Sequence, residues 1–570
     1  MATEGSRPRS PAPLFPAPIW LLALVVAVFT FSNALVRLQL TPLGAPPDEW
    51  AHLTHVDEVA TGGHLLPDYA HSRILPAREH PNYLGHPPLY YTALGLAGRA
   101  TGWDPVQQSH LYRGLSAAMV AAGMFLWILF GSCIRLPPLL LLVGAAAANA
   151  LPMFGYLAGS INNDNLAYAT VAIGLLGCAL LATPGSAPQH RLATYLIALG
   201  VTATLLTKAT AAVFILAFLA FWTIAGRNAL RPHLHWRHVL IAALLSVFLL
   251  GAYYLPTLAT YGTPFPRLAT VAGKLPPPTD PAGTLRIAGE FARQMWERLP
   301  AVTSHASLQP FSGVAGNALR SLLALPLLAW ALSRPTAPPT PGRHIGDAFF
   351  FAIAATLLVH FAAVWQTYHA HGVFAGLQPR YYAYVLPGVF VLGFQRLREH
   401  AGVRTLFTPF ALLVAALLAL SPSRTTQAQL ARDRVLAPEQ LRLPLVAATT
   451  GVRLVVIPRN AGFVDVVRSQ GPDALRVSGW AISAPEKIPA PRVWVLLGDR
   501  AIGTASTGRP RPDVAAALDS SAAGEAGFDF VIHGKGLAPP ACELKVAAEQ
   551  SDGTLAPLVR QACRAGGDSR

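Results

Sequence analysis

Ile19-Trp20-Leu21-Leu22-Ala23-Leu24-Val25-Val26-Ala27-Val28-Phe29-Thr30-Phe31-Ser32-Asn33-Ala34-Leu35 carries no charge and continues into Val36-Arg37-Leu38. A helix needs about 20 apolar residues to cross the hydrocarbon of a bilayer. A signal peptide has a shorter apolar core and a small-residue cleavage site, so this stretch, which follows Arg7 and Arg9, reads as an uncleaved first span. Further runs recur at about 114–131, 138–158, 165–183, 192–206, 208–225, 238–257, 317–333, 347–365, 381–395 and 405–421. Of 570 residues, 53% are hydrophobic and 12% charged, about half the charged fraction of a soluble domain. The fold class is therefore an α-helical polytopic membrane protein with about eleven transmembrane helices.

The formal net charge of +15 does not point to nucleic acid. The arginines cluster in short loops between apolar runs, which is the positive-inside pattern. Charge also decides the segment 192–225, about 50 Å long if wholly helical and interrupted by Lys208. Read as two spans, it puts Arg227, Arg231 and Arg237 inside, together with Arg135, Arg191, Arg334, Arg343 and the cluster Arg396, Arg398 and Arg404. Read as one span, it flips every later loop. The N-terminus is then inside and the C-terminus outside.

Two long loops fall outside, at about 41–112 and 258–316. Loops of that length are usually functional. From about 422 the composition changes to short β-branched stretches, among them Val452–Ile457, Leu475–Trp480, Val493–Leu497 and Phe528–Ile532. The domains expected are thus 1–421, a transmembrane domain, and 422–570, a linker and an all-β extracytoplasmic domain, read as a sandwich. Cys542 and Cys563 lie in the latter and would pair in an oxidising compartment. Cys133 and Cys178 lie in or beside apolar runs, and no zinc-type spacing occurs.

The first outside loop opens with Ala45-Pro46-Pro47-Asp48-Glu49-Trp50-Ala51-His52. Pro47 suits the first turn of a helix running to Gly62-Gly63, with Asp48 and Glu49 beside it and His52 and His55 on the face of Asp48. Acids there also offset the helix dipole, so spacing alone fits both a structural and a chemical role. Polar clusters follow at Glu79-His80, at His86-Pro87-Pro88-Leu89-Tyr90-Tyr91, and at Asn162-Asn163-Asp164-Asn165. Lys208 sits between two apolar runs, and Arg380-Tyr381 opens a later one. An ionisable residue in such a place is costly and marks a site; arginine suits bidentate phosphate contact. Two carboxylates, two cations and several aromatics at one membrane face suit a reaction on a lipid-linked phosphate donor. A carboxylate can deprotonate an acceptor hydroxyl, and fixed cations can stabilise a leaving phosphate. His52 beside Asp48 leaves room for a divalent metal as cofactor, which spacing does not decide.

In this order the motifs resemble the GT-C superfamily of polyprenyl-phosphate-sugar glycosyltransferases, which includes protein O-mannosyltransferases and bacterial aminoarabinose transferases. The resemblance covers about 17–421. It implies Asp48 and Glu49 as catalytic residues, with Asp48 the base, and phosphate binding by Lys208 and Arg380. His52, His86, Tyr90, Asn163, Asp164 and Tyr381 complete the expected substrate-binding set. His86 stands where aminoarabinose transferases carry lysine, and Pro379 where related families show glycine. The C-terminal stretch Val477-Ser478-Gly479-Trp480-Ala481 looks like a β-sandwich module attached to bacterial glycosyltransferases. The implied protein is an inverting glycosyltransferase (hexosyl- or pentosyltransferase) of the inner membrane. It would move a sugar from a polyprenyl-phosphate donor to an extracytoplasmic glycan, lipid or protein. A polysaccharide polymerase or O-antigen ligase is the nearest alternative. A transporter is the third, and the chain shows no internal repeat of the kind transporters carry.

Overall fold

The computed structural model describes residues 14–399 and 461–560, apart from 76–80, 267–282, 299–312, 333–340, 372–376, 534–543 and stretches of one to four residues. The chain divides into two compact units, Met1–Leu430 and Ala431–Arg570. The expected span 405–421, the strand Val452–Ile457, the pair Cys542 and Cys563, and Glu79-His80 lie outside the described residues.

The first unit is helical. Its helices are α1 (Ala17–Leu40), α2 (Glu49–Thr61), α3 (Leu89–Thr101), α4 (Ser109–Cys133), α5 (Pro138–Ala150), α6 (Pro152–Ala158), α7 (Asp164–Ala182), α8 (Ala187–Leu205), α9 (Ala209–Leu230), α10 (Trp236–Tyr261), α11 (Thr284–Arg298), α12 (Gly313–Leu332), α13 (Pro341–His371) and α14 (Leu386–Glu399). Among the described residues six helices are long and apolar enough to cross a membrane: Ala17–Gln39, Ser109–Cys133, Asp164–Ala182, Ala209–His233, Trp236–Tyr261 and Arg343–Ala370. Those expected at 192–206, 317–333 and 381–395 correspond to α8, α12 and α14, which are not among the six. The run 138–158 is two helices, because Pro152 has no N–H to donate and holds Leu151 extended.

Where side chains face outward from this unit, many are apolar. Leu24, Val25, Val28 and Phe29 on α1 and Val247 and Phe248 on α10 are more than half exposed. A continuous apolar exterior of this kind is stable in lipid and not in water. Burial concentrates on α7, which packs against α4 and α8. With no hydrophobic drive between helices in lipid, close packing rests on small residues. At the α7–α8 crossing, a Cβ on Gly200 would sit 2.5 Å from the Cα of Gly174.

The segment 192–225 is two helices. α8 ends at Leu205, and Lys208, with φ −154° and ψ 128°, begins α9. The break lies at the one charged residue of the run.

The second unit is antiparallel β apart from a two-residue parallel contact. Strands β1 (Gly462–Ser469), β2 (Ala474–Ser483), β3 (Ile488–Pro489), β6 (Gly527–His533) and β9 (Val559–Arg560) form one sheet in the order β3-β2-β1-β9, with β6 also on β2. A second sheet runs β5 (Arg500–Ala505), β4 (Val493–Leu497), β7 (Leu544–Glu549), β8 (Leu555–Pro557). Alternate residues of both, such as Val477, Phe528, Val495 and Val546, share one core, as facing sheets do. Trp480 is half-buried and packs against a smaller cluster with Val514 and Ala526.

Candidate functional site

Five stretches far apart in the chain meet at a cavity of about 240 Å³. They are the start of α2 (Asp48, His52), the segment before α3 (Tyr83 to His86), the turn into α7 (Asn162, Asp164), Lys208 between α8 and α9, and Gln378 to Tyr381. All lie at helix ends, where backbone hydrogen bonding stops and polar side chains cost least. The chain break that presents Lys208 is itself held: Asn163 Nδ2 donates to Thr207 O (2.9 Å), and Lys208 N donates to Thr204 O (3.0 Å).

Asp48 does not cap its own helix. It is the N-cap residue of α2, which begins at Glu49, two positions after the start expected at Pro47, and its side chain makes no capping bond. Its backbone is left-handed, φ 63° and ψ 8°, a conformation that costs an ordinary residue roughly 1 kcal/mol or more and that Asp tolerates better than most. The carboxylate turns instead toward groups distant in sequence. Oδ2 accepts from Arg380 Nη2, and Oδ1 accepts from the Tyr83 hydroxyl. The helix-dipole role therefore does not account for its orientation.

Lys208 Nζ lies 2.5 Å from Asp164 Oδ1. Both cations flank the ring of Tyr381, Lys208 at 5.1 Å and the Arg380 guanidinium at 5.6 Å from its centroid. Of the two carboxylates, Asp164 is 0% exposed and Asp48 11%. Two lining atoms, Asn162 Nδ2 and Gln378 Oε1, are buried with no hydrogen-bond partner among the described residues. Such groups are rare in a finished interior and point to a ligand.

His52 Nδ1 meets the Tyr91 hydroxyl at 2.8 Å, and its ring stacks on His86 (5.8 Å, 12°). Burial, then the mutual repulsion of the pair, holds His52 well below the ordinary histidine value. Burial, then Lys208, pushes His86 down to about 3. Both are neutral at pH 7, so the fixed positive charge is left to Lys208 and Arg380.

Glu49, beside Asp48 in sequence, points elsewhere. It accepts from Gly44 N (2.8 Å), Ile161 N (2.9 Å) and the fork of Arg113 (Nε 2.7 Å, Nη2 2.6 Å). Arg113 Nη1 in turn donates to Thr41 O (2.6 Å). The pair ties the end of α1, the start of α2, α4 and the turn into α7 together, and Glu49 does not line the cavity. Tyr90 is likewise turned away, its hydroxyl 2.6 Å from Ser116 Oγ, and so is Asn163. Within the expected set the cavity gathers Asp48, His52, His86, Asp164, Lys208, Arg380 and Tyr381. Asn162, from the polar cluster at 162–165, lines the cavity outside the expected substrate-binding set, and so do Tyr83 and Gln378; Arg113, which precedes the apolar run of α4 by one residue, was not singled out. His55 is occupied structurally, Nε2 on Leu84 O at 3.0 Å. Among the described residues no three His, Cys, Asp or Glu side chains converge as metal ligands.

No family model matches this chain. None of the curated proteins matches it either. Among solved structures it is similar to the crystal structure of ArnT from Cupriavidus metallidurans bound to undecaprenyl phosphate, with a TM-score of 0.38 and 15% identity over 78% of this chain and 83% of that one. The apo state of the same protein gives 0.33 and 14% over 67% and 78%. A likeness of this size fixes no residue-by-residue correspondence.

Proposed function

We propose that this chain is an inverting glycosyltransferase. It moves a sugar from a polyprenyl-phosphate donor to an extracytoplasmic glycan, lipid or protein acceptor. The observation that carries the reading is the convergence of Asp48, Asp164, Lys208 and Arg380 on one cavity at the helix ends. The order of motifs along 17–421 supports the same chemistry. In this reading the chain crosses the inner membrane about eleven times, with its N-terminus inside and the cavity and β unit on the outer side.

The acceptor oxygen attacks the anomeric carbon as the bond from that carbon to the phosphate oxygen breaks. The acceptor proton passes to Asp48. The electron pair leaves with the polyprenyl phosphate, whose added negative charge Lys208 and Arg380 offset. Asp48 is the base because it has solvent access, whereas Asp164 is enclosed and spent on Lys208. The neutral imidazoles of His52 and His86 suit the hydroxyls of a sugar. A polymerase or ligase would use the same groups and differ in its acceptor. A transport site would lie near the bilayer midplane, and charges gathered at helix ends do not favour it.

The test is a transfer assay in lipid vesicles with polyprenyl-phosphate sugars. The reading expects free polyprenyl phosphate and a product of inverted anomeric configuration. Absence of both with hexose and pentose donors would remove it.

A further inference from the structure

The cavity holds two fixed cations and two carboxylates, already paired: Arg380 with Asp48, and Lys208 with Asp164. Its net charge is zero before any ligand enters. A phosphate that enters competes with a carboxylate for either cation. The two pairs differ in how readily they give one up. Lys208 and Asp164 are both enclosed, and Asp164 has no water to turn to. Asp48 has some exposure and a second donor, Tyr83, ready to hold it. Arg380 also has further donor atoms beyond the one on Asp48, so its planar fork can turn toward a second oxyanion.

We propose, building on the phosphate reading above, that Arg380 trades Asp48 for the donor phosphate, so that the base is released only when donor is bound. A carboxylate held by a guanidinium takes up a proton poorly; one that has lost that partner takes it up far more readily. Asp48 is thus a weak base in the resting cavity and a competent one in the donor complex. The acceptor is deprotonated only when a sugar is in place to receive it, and bound donor is not lost to stray water activated beforehand. When the product phosphate leaves, Arg380 returns to Asp48, which sheds its proton to solvent. The groups facing Asp48 are Tyr83 and His86 before α3, Tyr91 on α3, His52 on its own helix, Lys208, and Arg380 with Tyr381. Of these the guanidinium is the cation bonded to it.

The experiment follows the protonated-carboxyl band of Asp48 by difference infrared spectroscopy, assigned by its loss in Asp48→Asn, with the full chain in lipid nanodiscs. The pH titration is repeated with saturating polyprenyl phosphate, whose binding is measured separately. The expected result is at least a tenfold rise in the proton affinity of Asp48 on binding. In Arg380→Ala, or in Arg380→Lys should the first fail to fold, the affinity is already raised and polyprenyl phosphate adds much less. Binding without any rise overturns the exchange and leaves the phosphate site standing. An equal rise in wild type and both variants also overturns it, since the ligand's own charge then acts with Arg380 still on Asp48. Absence of polyprenyl phosphate binding overturns the exchange and the glycosyltransferase reading together.

Discussion

Asp48 and Glu49 are consecutive acids, and the regions they serve have opposite design. Around Glu49 every acceptor position is filled by Arg113, Gly44 and Ile161 within a closed knot. Around Asp48 the backbone is left-handed, the carboxylate reaches out to Tyr83 and Arg380, and unpartnered Asn162 and Gln378 atoms share the cavity. A saturated network stabilises; an unsaturated one beside a strained residue is a place for a ligand. The contrast separates structure from chemistry where the sequence shows only an acidic pair.

Substitutions at four residues and a pH series probe that contrast. Arg113→Ala leaves Glu49 buried and uncompensated, and should cost about 3–5 kcal/mol, seen as a large fall in the thermal midpoint. An Arg113→Ala protein of wild-type stability would make the knot dispensable. Lys208→Ala removes a charge-assisted contact worth about 1.5–3 kcal/mol. Donor KM should rise by roughly one to two orders of magnitude, while Arg380→Lys recovers only part of the loss seen in Arg380→Ala because the fork is gone. Unchanged KM in the alanine variants would return both cations to a purely structural role. Tyr83→Phe deletes one bond to Asp48, worth about 1 kcal/mol, and should lower turnover about fivefold with little change in midpoint.

The smallest effect concerns the imidazoles. His52 and His86 are depressed in the folded protein. As pH falls below about 6.5 the unfolded chain takes up protons first. Folded stability should therefore drop with acidification, and continue to drop toward about 3, where His86 itself protonates. His86→Asn should flatten that slope in a thermal-midpoint series; an unchanged slope would mean that the ring is not held neutral.

Much of the site was legible because charge is scarce in this chain. Lys208 and Arg380 stand out at the ends of apolar runs, and Asp48 and Asp164 follow from the same logic. What the sequence could not supply was direction. Periodicity places Asp48 and Glu49 in one helical turn, and only the left-handed backbone at Asp48 shows that they diverge. Asn162 and Asn163 are equally good caps by composition, yet one lines the cavity and the other holds Thr207. Arg113 stands beside the apolar run 114–131, and nothing local marks its partner, which lies 64 residues away. In the fold, the break at Lys208 followed from the positive-inside pattern, since one span over 192–225 would flip every later loop. The split at Pro152 did not, since proline is tolerated within membrane helices when neighbours satisfy the freed carbonyl.

The most direct measurement compares Asp48→Asn with Glu49→Gln, recording thermal midpoint, polyprenyl-phosphate binding and turnover for each. Asn keeps the side-chain size and accepts the left-handed backbone, but it cannot take the proton. Asp48→Asn should still fold, with a smaller loss of midpoint than Glu49→Gln because Asn keeps an oxygen for Arg380, and it should retain binding with turnover reduced about 10²–10⁴-fold. Glu49→Gln should lower the midpoint and spare turnover in the fraction that stays folded. An Asp48→Asn protein that folds, binds and turns over near the wild-type rate would contradict the account.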